Sequence, residues 1–80
     1  MEPAQLRTII VESLRRVAPE VDPGSLDAGA PLRDQVDLDS MDYLNFLIAL
    51  HERFRIEIPE ADYERLRSLD DIVAYVAART

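Results

Sequence analysis

Apolar residues recur at the spacing of an α-helix in long segments of the chain, and they almost never alternate as in a β-strand. The first such segment runs from Pro3 to Val17, where Pro3 suits the first turn of a helix and Pro19 ends it. This segment is expected to bury one face made of Leu6, Ile9, Ile10, Leu14 and Val17. The pattern predicts an all-α fold.

Three further helical pieces complete the predicted architecture. A helix from Ser40 to Phe54 carries apolar residues on most of its sides, which is typical of a central helix. A short piece is predicted from Glu60 to Leu66, and a last helix starts at Ser68, where Asp71 completes a capping box. We therefore expect a single domain, residues 1–80, folded as a small four-helix bundle with three main helices and one short helix.

A long connection, residues 18–39, joins the first helix to the second and is rich in Pro, Gly and Asp. Connections of more than about 12–15 residues without regular structure are uncommon in compact domains and are often functional. Apolar residues spread along it are expected to attach it to the core: Val21, Leu26, Leu32, Val36 and Leu38. The connection leads directly to Asp39 and Ser40.

The excess of acidic over basic residues limits the kinds of molecule that the protein is expected to bind. The chain has 16 acidic and 9 basic residues, for a formal net charge of -7, which argues against nucleic acid and anionic membranes. No apolar run approaches the length of a membrane span, and the N-terminus does not resemble a secretory signal. We expect a cytoplasmic monomer that meets basic patches on other proteins.

Ser40 stands at the start of the second predicted helix. One hypothesis is that it is a catalytic nucleophile. A serine nucleophile needs a base within hydrogen-bond reach. The only histidine, His51, lies about 16 Å further along the same helix, and the chain has no lysine. No glycine-flanked elbow surrounds Ser40 either. These observations argue against a catalytic serine.

Acidic residues surround Ser40, and they suggest two other kinds of site. The acids are Asp34, Asp37, Asp39 and Asp42, and they do not have the spacing of a calcium-binding loop. Asp39 instead suits the N-cap of the helix, and the free amides of a first turn can hold a phosphate ester on Ser40. The residues alone leave two interpretations open, a modified serine and an ordinary first-turn serine.

The segment Asp39-Ser40-Met41-Asp42 resembles the D-S-L/M-D motif of acyl carrier proteins. The setting is similar as well, because the motif follows a long loop, and Glu57-Ile58-Pro59-Glu60 resembles the family's E-I-P-D/E segment. The resemblance implies that Ser40 carries 4′-phosphopantetheine, transferred from coenzyme A by a phosphopantetheinyl transferase. It also implies a carrier without catalytic residues of its own, in fatty-acid, polyketide or related lipid biosynthesis.

The resemblance further implies roles for the surroundings of Ser40. The nearby acids would form a docking surface for the transferase and for acyl- or aminoacyl-loading ligases, synthases and transferases. Tyr43 is placed to flank the arm, and Phe46 is expected in the core. Four other side chains are expected to line the core or an acyl pocket: Leu44, Leu47, Ile48 and Leu66.

The second predicted helix departs from the family pattern in its charges. Asn45 and His51 stand where the family usually has glutamates, and Arg53 and Arg55 stand where it has acidic or neutral residues. These departures favour a specialised, freestanding carrier. Two alternatives stay open, a carrier of aminoacyl or peptidyl groups and an unmodified interaction protein with the same fold.

Overall fold

Four α-helices and two 3-10 turns make up the computed structural model, which describes all residues from 1 to 80. The α-helices are α1 (Pro3–Val17), α2 (Leu32–Gln35), α3 (Ser40–Phe54) and α4 (Leu69–Ala77). The 3-10 turns span Pro23–Ser25 and Glu60–Arg65. The all-α prediction is confirmed. None of the helices has the length and apolar character needed to cross a membrane.

Side-chain caps fix where the two later helices begin. At α3, the Asp39 carboxylate accepts a hydrogen bond from the Asp42 amide at 2.7 Å. At α4, the Ser68 hydroxyl accepts from the Asp71 amide at 3.1 Å, and the Asp71 carboxylate accepts from the Ser68 amide at 3.3 Å. These bonds satisfy amides that have no partner within the helix. The helix starts predicted at Asp39 and Ser68 are therefore confirmed.

The central element of the bundle is α1, which packs against both α3 and α4. Leu6, Ile10 and Leu14 on α1 are fully buried. The prediction that the second predicted helix, here α3, is central is wrong, because α1 is the helix that makes the main contacts with both of the others. One side of α3 faces solvent. Met41 and Ile48 on that side are 64% and 42% exposed. Apolar composition alone could not separate a buried side of α3 from an apolar but exposed one.

The connection from 18 to 39 contains regular structure, which the sequence did not predict. It includes α2 and the first 3-10 turn. The Leu32 amide donates to the Arg67 carbonyl at 2.8 Å, and the Asp70 amide donates to the Ala28 carbonyl at 3.0 Å. Most of the predicted anchors are buried, namely Val21, Leu32, Val36 and Leu38, whereas Leu26 is half-buried. The connection is thus held against the start of α4.

A polar cluster attaches the second 3-10 turn to α4. The Tyr75 hydroxyl donates to the Asp62 carboxylate at 2.7 Å. The Arg79 guanidinium lies 3.5 Å from the centre of the Tyr75 ring and 3.7 Å from the same carboxylate. Arg65 adds a more exposed ion pair with Asp62 at 3.9 Å. The cluster fixes the segment that forms one wall of the site described next.

Candidate functional site

Ser40 is the first residue of α3, and its side chain is exposed. The cap at this helix start comes from Asp39, so the Ser40 hydroxyl is not needed to hold the helix. Met41 beside it is exposed, and Asp42 is half-buried. The structure therefore brings the predicted motif residues together at one helix start and leaves the Ser40 hydroxyl open to reagents.

An open groove of about 860 Å³ begins at Ser40. Three segments form its walls, namely α2 with the residue before it, the first turns of α3, and the second 3-10 turn with the two residues after it. Residues from all three segments line the groove: Pro31, Arg33, Asp34, Ser40, Tyr43, Leu44, Glu60, Tyr63, Glu64, Leu66 and Arg67. A group attached to Ser40 has this groove directly beside it.

The floor of the groove is apolar and aromatic. Leu66 is buried, and Leu44, Tyr43 and Tyr63 are half-buried. Phe46 is fully buried, and its ring meets the Tyr43 ring edge-on with 6.2 Å between their centres. The floor of the groove therefore connects to the hydrophobic core. The predictions that Leu44 and Leu66 line the core or a pocket and that Phe46 lies in the core are confirmed, and the role of Tyr43 beside an arm stays a prediction.

Ile48 does not line the core or the groove, contrary to the prediction. Its neighbour Leu47 is 1% exposed, whereas Ile48 is 42% exposed. Adjacent residues on an α-helix point about 100° apart, so the burial of Leu47 in the core turns Ile48 toward solvent. The sequence showed that both residues are apolar, but it did not show which of them faces the neighbouring helix.

The rim of the groove is charged. The Arg33 guanidinium lies 5.7 Å from the centre of the Tyr43 ring, in a cation–π arrangement. Burial raises the pKa of Tyr43 above its ordinary value of 10.0, while Arg33 lowers it in part and the charge of Asp71 raises it further. Tyr43 lines the groove, and its hydroxyl keeps its proton at neutral pH.

Several groove residues were not predicted as functional, chiefly Arg33, Tyr63 and Arg67. The Arg67 side chain donates to the Glu64 carbonyl at 3.1 Å, which holds it against the 3-10 turn. Tyr63 and Arg67 come from a segment distant from Ser40 in sequence, and Arg33 lies seven residues before it on α2, so no pattern within the motif associated them with it. A resemblance at the Glu57-Ile58-Pro59-Glu60 segment was the one available signal that this region approaches the serine.

His51 lies at the far end of α3 from Ser40. Its Nδ1 atom is hydrogen-bonded to the Ile56 carbonyl oxygen, just beyond the end of the helix. Ser40 and His51 therefore do not form a catalytic pair, in agreement with the separation along the helix that the sequence predicted. No three potential metal-binding side chains are grouped in a way that suits an ion.

Comparison with known proteins identifies the family. An acyl carrier protein of Bdellovibrio bacteriovorus is 35% identical over 72 residues, which is 90% of this chain and 86% of the relative. One of Helicobacter hepaticus is 34% identical over 73 residues, 91% of this chain and 90% of the relative. The family model described as a phosphopantetheine attachment site matches residues 4–76. The chain belongs to the acyl carrier protein family.

A solved carrier structure agrees with the fold. The solution structure of a protein from Anaplasma phagocytophilum, described as an acyl carrier protein, superposes with a TM-score of 0.84 at 27% sequence identity. The match covers 98% of this chain and 91% of the other. Proteins of the acyl carrier family hold phosphopantetheine as their prosthetic group. The exposed Ser40 hydroxyl, next to an open groove, suits the attachment of such an arm.

Proposed function

We propose that this carrier holds acyl groups as thioesters on a 4′-phosphopantetheine arm attached to Ser40. The observation that supports the proposal best is the position of Ser40. Its exposed side chain stands at the start of α3, between Asp39 and Met41 of the carrier motif, and lines the groove. The chain contains no cysteine, so the thiol for a thioester comes from the arm.

Attachment of the arm is a phosphoryl-type transfer from coenzyme A. The Ser40 Oγ forms a P–O bond to the phosphorus nearest the pantetheine, and the pyrophosphate bond of coenzyme A breaks. Adenosine bisphosphate leaves, and the Ser40 hydroxyl proton is taken up by the transferase or by solvent. The exposure of Ser40, with no histidine or lysine near it in the chain, is consistent with a serine that is the substrate of another enzyme.

Residues around Ser40 would hold and present the loaded arm. The apolar floor at Leu44 and Leu66 can cover the carried group, and the Tyr43 hydroxyl can donate a hydrogen bond to an amide or carbonyl along the arm. Asp39 and Asp42 give this end of α3 a negative charge that suits basic partner surfaces. None of these side chains is assigned a catalytic role.

The wider setting of the proposal follows from the family. We infer a single carrier domain over residues 1–80, acting as a cytoplasmic monomer in fatty-acid, polyketide or related lipid biosynthesis. Its partners are a phosphopantetheinyl transferase and acyl- or aminoacyl-loading ligases, synthases and transferases. The departures at Asn45, His51, Arg53 and Arg55 support a specialised member rather than the general fatty-acid carrier.

A second candidate function is the carriage of aminoacyl or peptidyl groups. Three carboxylates line the groove, from Asp34, Glu60 and Glu64, and none of them forms an ion pair within the protein. They can hold the ammonium group of an aminoacyl thioester. Identification of the group carried in the native host distinguishes the two functions.

The test of attachment uses purified apo-protein, coenzyme A and a broad-specificity phosphopantetheinyl transferase. Intact mass is measured for wild type and for Ser40→Ala, with Ser25→Ala as a matched control because Ser25 is an exposed serine elsewhere. Wild type and the control are expected to gain one phosphopantetheine group, and Ser40→Ala none. An unmodified wild type would favour the interaction-protein alternative.

A further inference from the structure

Arg33 is the only arginine or lysine between Arg16 and Arg53, and it lines the groove that begins at Ser40. It lies in the last turn of α2 and is exposed. Neither of the protein's two ion pairs includes Arg33. Arg33 is therefore a single cation without a carboxylate partner, beside the serine proposed to carry the arm.

The Tyr43 ring holds the Arg33 guanidinium near the start of α3. The guanidinium lies 5.7 Å from the centre of this ring. Tyr43 comes three residues after Ser40, and residues three apart are neighbours on one face of a helix. Burial raises the pKa of Tyr43, and the nearby charge of Arg33 opposes this rise in part. The positive charge of Arg33 is thus held beside the face of α3 that carries Ser40 and Tyr43.

The arm proposed for Ser40 begins with a phosphodiester, which has one negative charge at neutral pH. Its phosphorus is bonded to the Ser40 Oγ, so this charge is fixed at the start of α3. Four carboxylates within six residues of Ser40 repel it, those of Asp34, Asp37, Asp39 and Asp42. A bound phosphate at this position therefore requires compensation from groups of opposite charge.

Two sources of compensation lie at the start of α3. The amides of Ser40 and Met41 have no acceptor within the protein and can donate to a phosphate oxygen, but they carry only partial charges. Arg33 supplies a full positive charge. Arg67, the other basic residue of the groove, is held beside the second 3-10 turn by its bond to the Glu64 carbonyl. Arg33 is the cation on the Tyr43 side.

We propose that Arg33 binds the phosphodiester at the base of the arm and acts as a positioning residue of the carrier. A guanidinium can donate two parallel N–H bonds to phosphate oxygens, which a lysine ammonium cannot do. Bound in this way, the base of the arm is directed along the Tyr43 ring into the groove. The proposal rests on the proposed function, since it requires the arm on Ser40.

A purely structural role for Arg33 would be to cover Tyr43 and to stabilise the last turn of α2. That role is the same with and without the arm. A cycle of apo- and holo-proteins therefore separates the two roles. Coenzyme A and a phosphopantetheinyl transferase supply the arm to wild type, Arg33→Ala, Arg33→Lys and Arg53→Ala, and intact mass establishes complete loading of each.

The change in Tm on loading is measured for each protein at an ionic strength of about 0.1 M. In Arg33→Ala this change is expected to be about 3 °C less favourable than in wild type, as for one exposed charge pair in a domain of this size. Arg33→Lys keeps the charge but not the paired N–H donors, so it is expected to lie between the two.

Arg53→Ala is the matched control, because it removes another exposed arginine about 20 Å from Ser40 along α3. It is expected to show the wild-type change in Tm on loading. Equal changes in wild type and Arg33→Ala would overturn the proposal, and so would an equally large loss in Arg53→Ala. A wild type that gains no arm contradicts the proposed function, whereas loaded proteins without this difference contradict only the role of Arg33.

The phosphorus-31 NMR signal of the holo-proteins gives a readout that does not depend on folding stability. The chemical shift of the phosphodiester is expected to change in Arg33→Ala and to keep its wild-type value in Arg53→Ala. An unchanged chemical shift in Arg33→Ala would overturn the proposal.

Discussion

The Tyr75 hydroxyl donates a hydrogen bond to the Asp62 carboxylate across 2.7 Å and thereby joins α4 to the second 3-10 turn. Tyr75 is buried, and the Arg79 guanidinium covers its ring. The 3-10 turn forms one wall of the groove beside Ser40. A contact remote from the serine therefore helps to define the space available to a carried group.

Tyr75→Phe tests this contact. Loss of the hydroxyl removes the hydrogen bond to Asp62 and is expected to reduce the free energy of unfolding by about 1.5 kcal/mol, at the lower end for bonds to charged groups, because Asp62 keeps some access to water. Chemical denaturation of both proteins measures the change. An unchanged stability, with amide exchange in Glu60–Arg65 also unchanged, would contradict the role assigned to Tyr75.

Alkaline pH provides an independent test of the same residue. Burial raises the pKa of Tyr75 above its ordinary value of 10.0, and the hydrogen bond to Asp62 adds to the rise. The unfolded chain then releases the phenol proton at lower pH than the folded protein. This contribution to stability is complete below pH 10.0 and is lost as the pH rises through the folded-state pKa. Above pH 10.0, the Tm of Tyr75→Phe is expected to fall less steeply with pH than the Tm of wild type. An equally steep fall in both proteins would contradict the raised pKa of Tyr75.

Leu47 and Ile48 form a matched pair of adjacent residues on α3. Leu47→Ala is expected to cost about 2–5 kcal/mol of stability, because Leu47 is buried and its truncation leaves a cavity in the core. Ile48→Ala is expected to cost less than about 0.5 kcal/mol, because its side chain already meets water. Denaturation of the two variants under one condition makes the comparison. Equal losses would show that the helix register described here is wrong.

Arg55 ends α3 in a left-handed backbone conformation, with a φ of 55°. Such a conformation is unfavourable for residues with a Cβ atom and costs glycine little. Arg55→Gly is therefore expected to raise the free energy of unfolding by about 0.5–1 kcal/mol, after the larger entropy of the unfolded glycine chain is included. Arg53→Gly, within the helix, is the control and should destabilise the protein. A destabilised Arg55→Gly protein would contradict the αL assignment.

Salt is expected to stabilise the protein. The net charge is -7, and the exposed carboxylates of Asp34, Asp37 and Asp39 precede Ser40 within six residues of chain. Screening reduces their mutual repulsion, so Tm should increase from low to moderate ionic strength. Asp37→Asn should show a smaller increase than wild type. A Tm independent of ionic strength in wild type would refute this prediction.

The helices were predictable because their signals are local. Periodicity defined α1, and the caps at Asp39 and Ser68 fixed the starts of α3 and α4. The burial of Val36 and Leu38 was also predictable from the sequence, because an apolar side chain within a polar connection is stabilised by packing against the core. The motif resemblance then indicated the chemistry of Ser40, which periodicity could not do.

Tertiary arrangement was less predictable. The sequence could not show that α1, rather than α3, lies between the other two long helices, because both have long apolar faces. For the same reason Ile48 was expected in the core. The short α2 is held by a backbone bond to Arg67, a contact between segments distant in the chain that leaves no local pattern. Arg33 and Arg67 both line the groove because such contacts hold the two segments together.

The mass of the protein purified from its native host tests attachment of the arm at Ser40. The intact protein is expected to carry one phosphopantetheine group, and fragmentation is expected to place this group on the peptide that contains Ser40. The group bound to the thiol would then distinguish an acyl from an aminoacyl carrier. A protein that is entirely unmodified in growing cells, or modified at another residue, would contradict attachment of the arm at Ser40.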